Sequence, residues 1–369
     1  MSAKKLIEMA MPIKEISTES VRDKSIRQGH ISTLHLWWAR RPLPVCRAVV
    51  FASIVPDPLD PECPQAFCDA VRNILHVDTG DIVDLTYKPY DNIPYTAVND
   101  PMEDNLRNRL LMFIGKFSQR CSDKMIADKT SSPKGTSPKE QLNDGSLIKW
   151  ESRNNKDILD RARELLWVAY NAEKNPQASY ETLHSEFVKA YKEIADAEKA
   201  LYSITDRHIR TIEVTNAESR LDNAIKAFRS RMPAVFDPFA GGAAIPLEAA
   251  RLGCRSFGND INPVAYIVER ASAEFPQRYG KSFVVSVHEF MRLYGDKGMK
   301  MANEMGLHSN NGTYRISNRL SFDVEYYARQ ILDTTEQEVG HLYPAISSSP
   351  LGGGKIQRRI YTISHPRNL

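Results

Sequence analysis

The sequence predicts an α/β protein: an incomplete Rossmann-like fold, one βαβ half of a doubly wound sheet, interrupted by a large helical insertion. Three observations carry this expectation. First, AVFDPFAGGAAIPLEAARLGCRSFGNDINPVA, residues 234 to 265, reads as strand, glycine-rich turn, helix and second strand. Second, apolar residues recur at helical spacing from Pro42 to Ile54, at Leu43, Cys46, Val50 and Ile54, with Arg47 on another face. Third, residues 155 to 230 are helical in period and laced with charge, with few breakers beyond Asn175-Pro176.

In chain order, residues 5 to 28 read as a polar helical lead-in, for which Ser17 or Thr18 is the expected cap. Pro56, Pro58, Pro61 and Pro64 end the helix that starts at Pro42. Residues 101 to 130 resume a mixed helical pattern. The stretch SSPKGTSPKEQLNDGS, 131 to 146, reads as a mobile loop or linker. Within the βαβ segment, Ala234 to Phe236 form the first strand, Ala244 to Leu252 the helix and Arg255 to Gly258 the second strand. Pro246 suits the helix's first turn, and Gly253 stands where its C-cap wants a left-handed backbone. Residues 264 to 345 look largely helical, with an amphipathic run through Val324, Tyr327, Ile331 and Val339. The expected organisation is an N-terminal segment 1–54, a mostly helical insertion 55–232, a βαβ half with helices 233–344, and an atypical tail 345–369 expected to be disordered.

Composition bounds the function. Hydrophobic residues make up 42% and charged residues 26%, ordinary globular values, and no apolar run is long enough to span a membrane. The N-terminus lacks the apolar core of a secretory signal. Five cysteines without a C-x-x-C pair point to reduced thiols in a cytoplasm and to no metal site. Cys63, Cys68 and His76 are three loose ligands without a fourth, hence bystanders. The net charge of +3 excludes a globally basic nucleic-acid binder, but residues 1 to 50 carry nine Lys/Arg against four Asp/Glu. Such a patch suits phosphates, or is simply a solvated face.

The glycine turn narrows the ligand. A dinucleotide site reads G-x-G-x-x-G, with a helix N-terminus facing a pyrophosphate. Here the turn is D-P-F-A-G-G-A. Asp237 would repel a pyrophosphate and suits a ligand that carries an ammonium group. Asp260 follows Gly241 by nineteen residues, the usual offset for a carboxylate that grips ribose hydroxyls at the end of the second strand. An ammonium-bearing nucleoside is S-adenosylmethionine. The expected cofactor contacts are Asp237, Pro238, Phe239, Gly241, Gly242, Asp260 and Asn262. The alternative is a structural strand–turn–helix without ligand.

DPFAGGAAIPLEA resembles the first motif, DPF-x-G-x-G, of amino-methylating DNA methyltransferases. SIRQGHISTLHLWWARRPL and KPYDNIPYTAVNDPMEDNLRNRLLMFIGKFS are similar to the DUF1156 family, prokaryotic proteins described as adenine-specific DNA methylases with a zinc ribbon, some associated with anti-phage loci. The resemblance covers residues 1 to about 344. It implies a methyltransferase fold, S-adenosylmethionine as methyl donor, and N6-adenine methylation of double-stranded DNA with base flipping, in restriction–modification or phage defence. Two features depart from the pattern. Ala243 replaces the third glycine, and an alanine with negative φ would fit there. The [DNS]-P-P-[aromatic] loop that N6-adenine methylation needs is absent, since the chain contains no Pro-Pro pair. In the family that loop and the zinc ribbon lie further toward the C-terminus. The expectation is therefore a chain truncated before its catalytic loop, its missing half carried by a second polypeptide, with S-adenosylmethionine bound but little or no turnover.

Asn92-Ile93-Pro94-Tyr95 is close to the N-[LI]-P-Y loop of ribosomal-RNA adenine dimethylases, though it precedes the cofactor strands instead of following them. Asn92 and Tyr95 are thus weak catalytic candidates for an RNA methyltransferase; the other reading is a turn over a packed Tyr95. A non-catalytic S-adenosylmethionine- or DNA-binding module of a defence complex is the non-enzymatic alternative. Finally, HISTLHLWWARRP, residues 30 to 42, has the form of the segment that covers the methionine end of the cofactor in amino-methyltransferases. On that reading Trp37 or Trp38 walls the pocket, and Arg40 or Arg41 meets a DNA phosphate or a cofactor carboxylate. An aromatic–arginine stack holding the inserted region to the core explains the same residues.

Overall fold

The computed structural model describes residues 3–26, 41–75, 105–128 and 135–342. Trp37, Trp38, Arg40, Asn92 and Tyr95 lie outside the described residues, as does the tail. The chain divides into two compact units, residues 1–201 with 210–278, and residues 202–209 with 279–369.

The first unit is mostly helical. The lead-in is two helices, α1 (Leu6–Met9) and α2 (Ile13–Ser25). Pro12 is the residue from which α2 starts, so Ser17 and Thr18 lie inside the helix and neither caps it. Proline at a helix start loses only an amide that would be unpaired anyway, and this outweighs the weaker capping signal of the later hydroxyls. Helix α3 (Leu43–Ile54) buries Leu43, Cys46 and Val50, as their spacing predicts. After α4 (Gln65–Ile74) come α5 (Leu106–Ile114) and α6 (Gln119–Ala127). Residues 155 to 230 form three helices, α7 (Lys156–Lys174), α8 (Tyr180–Ser203) and α9 (Ile212–Ser230). Asn155 caps α7, its Oδ1 accepting from the amides of Asp157 and Ile158, and Thr211 caps α9. Trp167, 1% exposed, anchors this bundle. It stacks on Phe228 at 5.3 Å between ring centroids and meets Phe187 edge-on at 5.8 Å.

Onto this body the chain builds β1 (Ala234–Asp237), α10 (Ala244–Arg251) and β2 (Arg255–Gly258). The strands pair in parallel, from Ala234 opposite Arg255 to Asp237 opposite Gly258. Helix α10 packs on both strands and on α3. Gly253, at φ +79°, follows α10 in the left-handed conformation expected of it. Helix α11 (Pro263–Glu269) continues through a π-helical turn, Arg270–Glu274, into α12 (Phe275–Tyr279).

The second unit departs from the expected run of helices. It contains an antiparallel pair, β3 (Phe283–Ser286) and β4 (Thr313–Ile316), with α13 (Val287–Glu304, broken at Gly295) between them and α14 (Arg319–Val339) after them. Each strand spans only four residues, too few for a period of two to be separated from helix. Phe283, Val285, Phe290, Tyr294, Tyr314 and Phe322 form its core. On α14 the predicted stripe faces outward: Val324, Tyr327 and Ile331 are all exposed. The protein is thus α/β in the broad sense, helix-rich, with two separate two-stranded sheets among the described residues. No helix among those residues is long and apolar enough to cross a membrane.

Candidate ligand-binding turn

The ends of β1 and β2 bring two loops together. The Asp237 carbonyl accepts from the Asn259 amide at 3.0 Å, and the Ala240 amide donates to the Asn259 carbonyl at 3.0 Å. The buried Asp237 side chain accepts from the Phe239 amide at 3.0 Å. Asp260 bridges the loops: Oδ2 accepts from the Gly241 amide and Oδ1 from the Asn262 amide, each at 2.9 Å. Each oxygen keeps a second lone pair for another donor. Asn262 caps α11 through the Val264 amide at 2.9 Å.

The glycines differ in what they do. Gly241 sits at φ +53°, where a side chain would be strained. Gly242 has no such constraint, and a Cβ on either residue would meet nothing within 4 Å. The turn therefore fronts open space, and packing within the chain does not explain why Gly242 lacks a side chain. At Gly258 the reason is close approach: a Cβ there would lie 3.1 Å from Pro246, 3.2 Å from Ala240 and 3.2 Å from Glu269. Ala243 corrects an expectation, because its φ is +63°, not negative. It holds a left-handed conformation that favours glycine, at a cost of about 1–2 kcal/mol.

Glu269, which no motif of the sequence marks, lies against the end of β2, its Oε2 3.2 Å from where a Gly258 Cβ would stand. It is buried, and its Oε1 has no hydrogen-bond partner among the described residues. Burial, together with the nearby Asp260 and Asp237, holds its carboxyl above the usual carboxylate range. The available signal was its place two helical turns beyond Asn262, which brings it back beneath the strand ends.

Arg41, the described end of the aromatic–arginine segment, places Nη1 4.0 Å from Asp237 Oδ2, while its side chain stays 58% exposed. Pro42 follows and starts α3. One turn on, Arg47, on another face of the helix, is buried at 1% exposure. Its Nε donates to Glu248 Oε2 on α10 at 2.5 Å and its Nη1 to the Leu147 carbonyl at 2.7 Å. Glu248 also pairs with Arg251. A charged pin 201 residues apart in sequence thus fixes the N-terminal helix against the helix of the glycine turn.

Around the turn, Phe236, Phe239, Phe257, Ile261 and Ile267 are exposed, Ile261 almost wholly. Pro238 is exposed beside Phe239. Acids at the strand ends, backbone open in front of two glycines and exposed apolar side chains on either hand can receive a flat, apolar ligand that carries a cationic group.

A protein of unknown function, DUF1156, is the family that matches this chain, over residues 10–72. That span contains α2, α3, α4 and the aromatic–arginine segment. Among curated proteins and solved structures, nothing matches.

Proposed function

We propose that this chain, a DUF1156 protein by its residues 10–72, is the cofactor-binding part of an S-adenosylmethionine-dependent DNA methyltransferase, adenine-N6 specific by its motif resemblance. The observation that carries the reading is the open turn at Gly241 and Gly242 with Asp237 and Asp260 at the ends of adjacent parallel strands. The residues fit the group. Asp237 suits its ammonium, the free lone pairs of Asp260 suit ribose hydroxyls, and Phe239 and Ile261 offer apolar surface to a base. When bound, the donor supplies a methyl carbon on a sulfonium, and transfer is a direct displacement. The chain's own part is to hold and orient. Arg41 offsets the charge of Asp237 or takes the ligand carboxylate. Because these 369 residues contain no Pro-Pro loop, turnover by them alone is expected to be weak or absent, with the acceptor loop supplied from outside this sequence and double-stranded DNA as substrate.

Calorimetric titration with S-adenosylmethionine tests this. The parent should bind in the micromolar range. Gly242→Val, whose Cβ meets nothing of the chain within 4 Å, should keep the thermal transition and lose binding. Asp260→Ala should weaken it severely. A folded parent that gives no heat at several temperatures rejects the cofactor reading and leaves a DNA- or partner-holding module.

A further inference from the structure

Of the five cysteines, two stand side by side. Cys63 and Cys68 lie with their sulfurs 3.8 Å apart, both unbridged. With His76 they make three loose metal ligands without a fourth, so metal binding gives them no role. Their geometry suits a different chemistry.

The turn that presents Cys63 is fixed before α4 begins. The Asp57 amide donates to the Lys4 carbonyl at 2.8 Å, and the Asp57 carboxylate takes both a 2.8 Å and a 2.5 Å bond from Arg107. From there the amide of Asp60 donates to the Asp57 carbonyl at 3.0 Å, and that of Cys63 to the Asp60 carbonyl at 2.9 Å. Cys68 is held by the helix, with its sulfur 3.6 Å from the Pro58 carbonyl oxygen. Neither sulfur has to search for the other.

We propose that Cys63 and Cys68 form a peroxide-oxidisable dithiol, a disulfide-forming modification site built into the DUF1156 segment. The other three cysteines offer a contrast within the same molecule. Cys46, Cys121 and Cys254 are buried, as Cys68 is, and there burial pushes the thiols up to about 12, 11 and 12. In the pair, the shared hydrogen bond pushes Cys63 up and draws Cys68 down, and the Arg72 guanidinium adds to the lowering at Cys68. Thiolate is the reactive form, so Cys68 is the attacking sulfur and Cys63 the resolving one. Cys68 is itself buried, so the way in for a small oxidant runs past the partly exposed Cys63, 3.8 Å from it.

The chemistry balances with a hydroperoxide as oxidant. The Cys68 thiolate attacks one peroxide oxygen, the O–O bond breaks, hydroxide leaves and a sulfenic acid forms. The Cys63 sulfur then attacks Cys68, the S–O bond breaks, and the departing hydroxyl leaves as water with the Cys63 proton. Two thiols lose two electrons in total and one peroxide becomes two waters. The product staples the pinned turn to the first turns of α4.

The test uses the full chain and hydrogen peroxide at a few equivalents, followed by thiol counting and peptide mass mapping. Titratable thiols should fall from five to three, with the new crosslink between residues 63 and 68. In Cys63→Ser a 1,3-dione trap should label Cys68. In Cys68→Ser labelling of Cys63 should be at least roughly tenfold slower, reflecting the lost thiolate fraction. Five thiols retained at a peroxide dose that oxidises the urea-unfolded chain, or a crosslink between other cysteines, would overturn the proposal. Equal labelling rates in the two variants would overturn the assignment of Cys68 as attacker.

Discussion

The two strand pairs of this protein are the same size and are finished in opposite ways. In β3–β4, Phe283 and Val285 are fully buried, and Phe290 closes on Tyr314 at 4.5 Å and Tyr294 at 5.0 Å. In β1–β2, Phe236 and Phe257 stand 62% and 51% exposed. Each pair has a buried glutamate beside it, and these too are opposites. Glu289, next to β3, is surrounded by base: Arg292 and His208 hold its carboxyl down to about 2. Glu269, next to β2, is held up by burial and by the nearby acids Asp260 and Asp237. The antiparallel pair has its charges matched and its apolar surface covered, as a structural element requires. The parallel pair has a charge imbalance and uncovered apolar side chains at one end, which is what the proposed cofactor site would need.

The comparison can be broken most directly at its cores. Phe290→Ala should cost about 3–5 kcal/mol in the stability of the second unit, read by urea titration with a probe local to that unit. Arg47→Met should have an effect of the same order on the first unit, about 3–5 kcal/mol, because it strands part of the Glu248 charge in the interior. The double variant Arg47→Met/Glu248→Met should recover most of that loss; no recovery would mean that Arg47 acts through its bond to the Leu147 carbonyl instead. A smaller gain, about 1 kcal/mol or somewhat more, is expected for Ala243→Gly, which relieves the left-handed strain.

The glutamates give a comparison of sign. A depressed carboxyl contributes stability that is complete above its ordinary value near 4.5 and is lost as pH falls toward about 2. Glu289→Gln should therefore destabilise at neutral pH, with the difference fading through that acid window. A raised carboxyl does the reverse: its ionisation in the fold is a cost that grows as pH climbs from near 4.5 through the raised value. Glu269→Gln should match the parent in acid and become the more stable of the two toward neutral pH. Melting curves across pH for both variants would decide it; parallel profiles would end the distinction drawn here. The smallest effect belongs to Phe257→Ala, expected within about 0.5 kcal/mol of the parent because its ring contributes little to the core.

Local grammar made much of this legible. The limits of α3 and β2 follow from proline, glycine and apolar spacing, and Gly253 took the backbone its position demands. The site's acids and glycines were named from a turn and an offset of nineteen residues, and the fold does bring them to one place. The errors have local causes as well. Pro12 outranked Ser17 and Thr18 as a helix start, and four-residue strands at 283 and 313 carry too little period to be separated from the helices around them.

What the sequence by itself determined is the order of turns and helices and the chemical character of the glycine turn, because these depend on residues within a few positions of one another. What only the tertiary structure decided are the contacts set by packing: Arg47 on Glu248, Arg41 by Asp237, Glu269 against Gly258 and near Asp260, and the sulfurs of Cys63 and Cys68 brought together by a turn anchored at Lys4 and Arg107. A buried charge depends on which neighbour answers it and on how far water is excluded. Both are properties of packing, so no reading of the linear chain could assign them.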